Sequence, residues 1–104
     1  MEHMKFELRE SGGRAGYRRR FSIAGVLASG NLEVMMEPAE LGGGCEFAID
    51  TVAAGFSETW RAVIADFMER NKPANLRVSI NDNAASPAVV SLRLDQAFEA
   101  LIAE

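Results

Sequence analysis

Ser29, in the stretch VLASGNLEV, and Cys45, the single cysteine, are the first positions to test for nucleophilic chemistry. A serine nucleophile needs a base to take its proton. Ser29 has no GxSxG context, and the one histidine, His3, lies in the N-terminal tail. A reactive cysteine needs a base or an electropositive setting. Cys45 alternates with Glu46, as do Phe47 and Ile49 with Ala48 and Asp50, which puts it on the inward face of a strand as an inert core thiol. Glu33, Glu37, Glu46 and Asp50 read as solvent-facing positions of the same strands. Gly42-Gly43-Gly44 precedes a strand and lacks the Lys-Ser/Thr of a phosphate-binding loop. One Cys and one His cannot supply the four ligands of a structural zinc site. Trp60, Met35, Met36 and Met68 read as packing residues.

A chain without catalytic equipment is expected to be a binding, structural or carrier module. A carrier needs one exposed nucleophilic side chain on a rigid support with clear space around it. Ser29 meets that requirement. Gly30 removes bulk beside it and permits positive φ, and Asn31 tolerates turn geometry. Any turn would use the same three residues, so spacing alone leaves both readings open.

The elements that must position Ser29 follow from periodicity. Met4, Phe6 and Leu8 alternate with charged residues as a strand does. A break at Ser11-Gly12-Gly13 and a loop to about Gly16 follow. Phe21, Ile23, Gly25 and Leu27 alternate with Ser22, Ala24 and Val26. Leu32, Val34 and Met36 alternate after the Ser29-Gly30-Asn31 break, and Pro38 ends that strand. Two such runs around a short Gly-containing break predict a hairpin with Ser29 at its apex. Leu41 to Gly44 reads as a flexible connection, and Cys45 to Asp50 as a further strand. Trp60, Val63, Ile64, Phe67 and Met68 then fall on one helical face. Ser57 is expected as its N-cap, and Asn71 and Pro73 stop it. Leu76, Val78 and Ile80 mark another strand, closed by a turn at Asn81-Asp82-Asn83. Ser86-Pro87 opens a helix with a stripe through Val90, Leu94, Ala97, Phe98 and Leu101. The β-branched pair Val89-Val90 would also suit a strand, but length and the cap favour the helix.

The expected fold class is α+β, a two-layer sandwich. It has a mostly antiparallel sheet of four to five strands with two helices on one face. Residues 1–104 form one domain, with 1–20 as a partly flexible basic segment. That segment carries six Lys/Arg against three Glu, and the remainder five Lys/Arg against twelve Asp/Glu. The acidic body argues against nucleic acid as a partner. No apolar run is long enough to span a bilayer, and the charged N-terminus does not read as a secretion signal, so the expected location is the cytoplasm. Arg18-Arg19-Arg20 reads as a solvated charge run or, alternatively, as a phosphate contact.

Three segments carry a resemblance to a known family. ASGNLEVMMEP resembles the segment around the modified serine of malonate decarboxylase acyl carrier proteins, the delta subunits. INDNAASPAVVSLRLDQAFEAL is similar to that family's C-terminal pattern, and SETWRAVIADFMER falls between them as expected. The likeness runs from about residue 21 to 102. Asn31 stands where the family pattern has Asp, and Ser86 where it has Thr. Carried over, the resemblance implies that Ser29 is the attachment point, with Gly30 and Asn31 as the turn presenting it. The group would be phosphoribosyl-dephospho-coenzyme A, of the 2'-(5''-triphosphoribosyl)-3'-dephospho-CoA type, joined through a phosphodiester, its thiol carrying acetyl and then malonyl. Implied partners are the acyltransferase and decarboxylase subunits, the phosphoribosyl-dephospho-CoA transferase and a malonyltransferase. The chain itself would be non-catalytic. More distantly the chain resembles the citrate lyase acyl carrier protein, and a non-carrier interaction module is the competing class.

Overall fold

The computed structural model describes residues 1–10, 13 and 16–103. The break read at Ser11 and Gly12, and Arg14, lie outside the described residues. Seven elements follow in chain order: β1 (Glu2–Leu8), β2 (Ser22–Gly25), β3 (Asn31–Pro38), β4 (Cys45–Thr51), α1 (Ser57–Asn71), β5 (Leu76–Asn83) and α2 (Pro87–Ile102). The strands form one sheet in the order β1-β4-β5-β3-β2. β4 and β5 run parallel and the other pairs antiparallel. The parallel pair requires a long connection, and α1 lies in it. The architecture is the α+β sandwich expected from periodicity, with a mixed and mostly antiparallel sheet.

Alternation decides which face is covered. Leu32, Val34 and Met36 of β3 are fully buried, as are Phe47 of β4 and Val78 of β5. α1 contributes Trp60, Ile64, Phe67 and Met68 to the core, and α2 contributes Val90, Leu94, Ala97, Phe98 and Leu101. Phe67 joins the layers, meeting Phe47 and Phe98 edge to face at ring separations of 6.1 and 5.7 Å. The opposite face stays open and polar, with Arg77 close to both Glu37 and Glu46.

Several expectations are corrected. β1 is a paired edge strand from Glu2 onward, so His3 is no loose tail residue: its ring hydrogen-bonds to Asp50. β2 stops at Gly25, and its covered side carries Ser22, not Phe21 and Ile23. The Ser22 hydroxyl donates to the Ala97 carbonyl of α2 at 2.7 Å, a bond available only on that face. Ser57 is the first residue of α1, Phe56 holds the N-cap position, and no side chain caps it. Asn81, Asp82 and Asn83 remain in β5, paired to Glu33, Leu32 and Asn31. α2 is helical throughout, with Ser86 Oγ accepting from the Val89 amide at 3.3 Å.

Candidate functional site

Ser29 lies in the five-residue connection Val26–Gly30 between β2 and β3, a wider loop than the expected tight turn. Gly25 sets the exit from β2. Its φ is +81°, and a Cβ there would lie 2.1 Å from the Leu32 carbonyl oxygen, so no side chain fits. The loop backbone is then fixed from several sides. The Ala28 amide donates to Val26 O at 3.0 Å and the Asn31 amide to Ala28 O at 2.9 Å. The Gly30 amide donates to Asn83 O at 2.8 Å, which ties the loop to the end of β5. Gly30 has φ +71° with open space where a Cβ would be. Asn31 Oδ1 accepts from its neighbour Leu32 N at 2.8 Å and from Arg93 Nε at 3.3 Å.

Ser29 itself is exposed, and among the described residues nothing bonds to its hydroxyl. Val26 and Leu27 beside it are exposed apolar residues at 60% and 58%. A mainly apolar cleft of about 300 Å³ opens at the same end of the sheet, lined in part by Phe56, Trp60, Ala84 and Val90. Its buried carboxylate, Asp82, accepts from Thr51 Oγ1 and from the amides of Ala84 and Ala85. It is therefore committed to holding the turn into α2.

The other candidate residues lie elsewhere. Cys45 is buried, its thiol donating to Pro73 O at 3.4 Å. Burial pushes that thiol up to about 11, against a smaller lowering by the Leu76 backbone. His3 belongs to the edge strand farthest from β2 and cannot reach Ser29. Arg18 and Arg19 donate backbone N–H to Leu101 O at the C-terminal end of α2. α2 starts just after the Ser29 end of the sheet and rises about 1.5 Å per residue. The arginine run is thus about 20 Å from Ser29 along the helix, at the far end of the sheet and not beside the serine itself.

Arg93 is the site residue that sequence reasoning missed. Its partner Asn31 is distant in the chain, and only the packing of α2 on β2 and β3 joins them. A partial signal existed. Arg93 precedes Leu94 of the buried stripe, so it must lie at the margin where helix meets sheet.

Comparison with known proteins identifies the family. Residues 19–101 match the family model of the acyl carrier protein described as malonate decarboxylase delta subunit. The malonate decarboxylase acyl carrier protein of Stenotrophomonas maltophilia (strain K279a) is 57% identical over 81 residues, spanning 78% of this chain and 76% of that one. That of Xanthomonas campestris pv. campestris (strain B100) is 52% identical over 91 residues, spanning 86% and 87%. A chain in the crystal structure of a Pseudomonas malonate decarboxylase hetero-tetramer in complex with malonate superposes with a TM-score of 0.82 at 32% identity, over 95% of this chain and 97% of that chain. The chain belongs to the malonate decarboxylase delta subunit family of acyl carrier proteins.

Proposed function

We propose that this chain is the acyl carrier subunit of a malonate decarboxylase and that Ser29 bears a phosphoribosyl-dephospho-CoA group through a phosphodiester. The observation that carries the reading is the combination at Ser29: an exposed hydroxyl with no partner among the described residues, on a loop whose backbone is tied to β5. The residues fit such a group. Gly30 leaves open space beside the hydroxyl, and a cationic side chain, Arg93, lies next to the loop.

On attachment Ser29 Oγ would form the ester bond to the α-phosphorus of the triphosphoribosyl donor and lose its proton, while the α–β phosphoanhydride breaks and pyrophosphate leaves. When bound, the group supplies a thiol that carries acyl units as thioesters. The protein's own part is to hold the attachment point rigid and clear, while the acyl exchange and decarboxylation belong to partner subunits. Val26 and Leu27, with Phe21 and Ile23 on the open side of β2, offer those subunits an apolar contact surface around Ser29. The Pseudomonas relative occurs in a hetero-tetramer, which supports assembly with other subunits here.

Intact mass with peptide mapping, on protein isolated from its own host growing on malonate, tests the proposal. The expected result is one adduct on Ser29, absent from the Ser29→Ala variant, which keeps its fold and loses complex activity. An unmodified chain in cells that make the transferase overturns it and leaves an interaction module.

A further inference from the structure

The arginines of this protein differ in what holds them. Arg70 is clasped by Asp66 and Asp95, each at 2.8 Å. Arg77 lies between Glu37 and Glu46. Arg93 is held by two neutral carboxamides: Nε donates to Asn31 Oδ1 at 3.3 Å, and Nη1 donates to Gln96 Oε1 at 2.9 Å. Among the described residues no carboxylate pairs with it. Amide acceptors orient a guanidinium without cancelling its charge, and five N–H donors exceed what two acceptors take up.

The position is also built. Arg93 crosses Gly25, where a Cβ would lie 3.1 Å from its Cδ and 3.2 Å from its Nε. The same glycine that lets β2 end against Leu32 O therefore provides the floor for this side chain. Asn31 is two residues after Ser29, a span of at most about 7 Å. The Asn31 amide bond to Ala28 O closes the loop between them. A phosphate on Ser29 Oγ would therefore start within about 7 Å of Asn31, the residue that holds the guanidinium, and would meet it by turning toward α2.

We infer that Arg93 is a positioning residue for the attached group: its guanidinium pairs with the phosphate oxygens on Ser29 and fixes the direction in which the arm leaves the protein. Asn31 and Gln96 hold that guanidinium in place while leaving it positively charged. The inference rests on the proposed function, because it takes Ser29 as the attachment point. Its chemistry is that of an arginine and a phosphate ester, which favours short, charge-assisted and often bidentate hydrogen bonds.

The test uses the full chain with phosphoserine incorporated at position 29, so neither transferase nor arm is needed. The second ionisation of phosphoserine, ordinarily near pH 6, is followed by phosphorus-31 resonance. Pairing with Arg93 favours the dianion, so the midpoint is expected at least about half a unit lower than in the Arg93→Gln variant. Arg93→Lys keeps the charge and should recover part of the difference. Glu33, opposite Gly25 in the sheet, and Asp82, opposite Leu32, are the same in every variant and cancel in the comparison.

A second readout needs no substitution. The Arg93 Nε–H resonance should move in step with the phosphate titration, which a purely structural arginine would not do. A midpoint difference below half a unit, or an Arg93 resonance unmoved through the titration, overturns the inference. An adduct on Ser29 in host protein together with those negative results removes only the role of Arg93. The absence of any adduct removes both.

Discussion

The two loops that flank β3 both contain glycines, and they use them in opposite ways. Leu41–Gly44, which reads in the sequence as a flexible connection, is locked from all sides. Asn75 Oδ1 accepts from the amides of Leu41 at 3.0 Å and Gly43 at 2.8 Å, and the Asn75 amide donates to Gly44 O at 2.9 Å. The Arg9 guanidinium donates to Gly42 O. Most of its backbone polar groups are engaged, and the residue that follows, Cys45, is buried. Val26–Gly30 is tied at Val26, Ala28 and Gly30, yet leaves the Ser29 hydroxyl at the surface without a bond among the described residues. Glycine content therefore says little about mobility or function. The useful distinction is whether a rigid loop leaves a reactive group outside its own bonding.

Four experiments would break or sharpen this contrast, beginning with the largest effect. Gly25→Ala should destabilise the protein by about 3 kcal/mol or more, since the new Cβ meets the backbone oxygen of Leu32 and the φ is left-handed. Urea denaturation measures it, and a change under 1 kcal/mol would show that the exit from β2 is not fixed as described. Next, Cys45 should alkylate at pH 8 about a hundredfold more slowly in folded than in unfolded protein, because burial raises its folded value to about 11 from 9.0. The folded state holds this proton more tightly, so the associated stability is full below pH 9 and is lost as pH rises through 11. A Cys45→Ala chain should lack that part of the alkaline decline.

Asn75→Ala should cost about 2 kcal/mol through two lost bonds and the positive φ of residue 75, which Asn tolerates better than Ala. Asn75→Asp, which keeps the acceptor, should recover much of the loss. The proposed modification of Ser29 should be unchanged in both, since the Gly42 loop is at the other end of the sheet. Reduced modification would mean that the two loops are coupled. The smallest effect is expected at Gly30→Ala. Its surroundings are open, so only the positive φ is penalised, by about 1 kcal/mol in a melting experiment.

Much of this was legible because local period and burial agree. The stripes of α1 and α2 and the alternation of β3 and β4 name their own core residues. Other features were hidden because they depend on partners far along the chain. Alternation in β2 shows two faces without saying which is covered, and only the Ser22 bond to Ala97 decides it. Asn81-Asp82-Asn83 has turn composition, yet pairing with β3 extends β5 through it. Ser29 was legible as an exposed turn residue, and the family pattern gave it meaning. Arg93 was not, because its relation to Asn31 exists only once the helix lies on the sheet.

The lie of α2 also bears on how this protein can be handled. The helix passes Arg93 beside Gly25, Ala97 beside Ser22 and Leu101 beside Arg18, so it runs away from Ser29 for its whole length. An affinity tag, fluorophore or surface tether joined after residue 103 would sit about 20 Å or more from the serine. One placed before Glu2 would share the serine's end of the sheet, three strand spacings or about 15 Å from β3. Immobilising the chain by its C-terminal side should therefore leave the Ser29 loop open to any large partner, where the N-terminal side would crowd it.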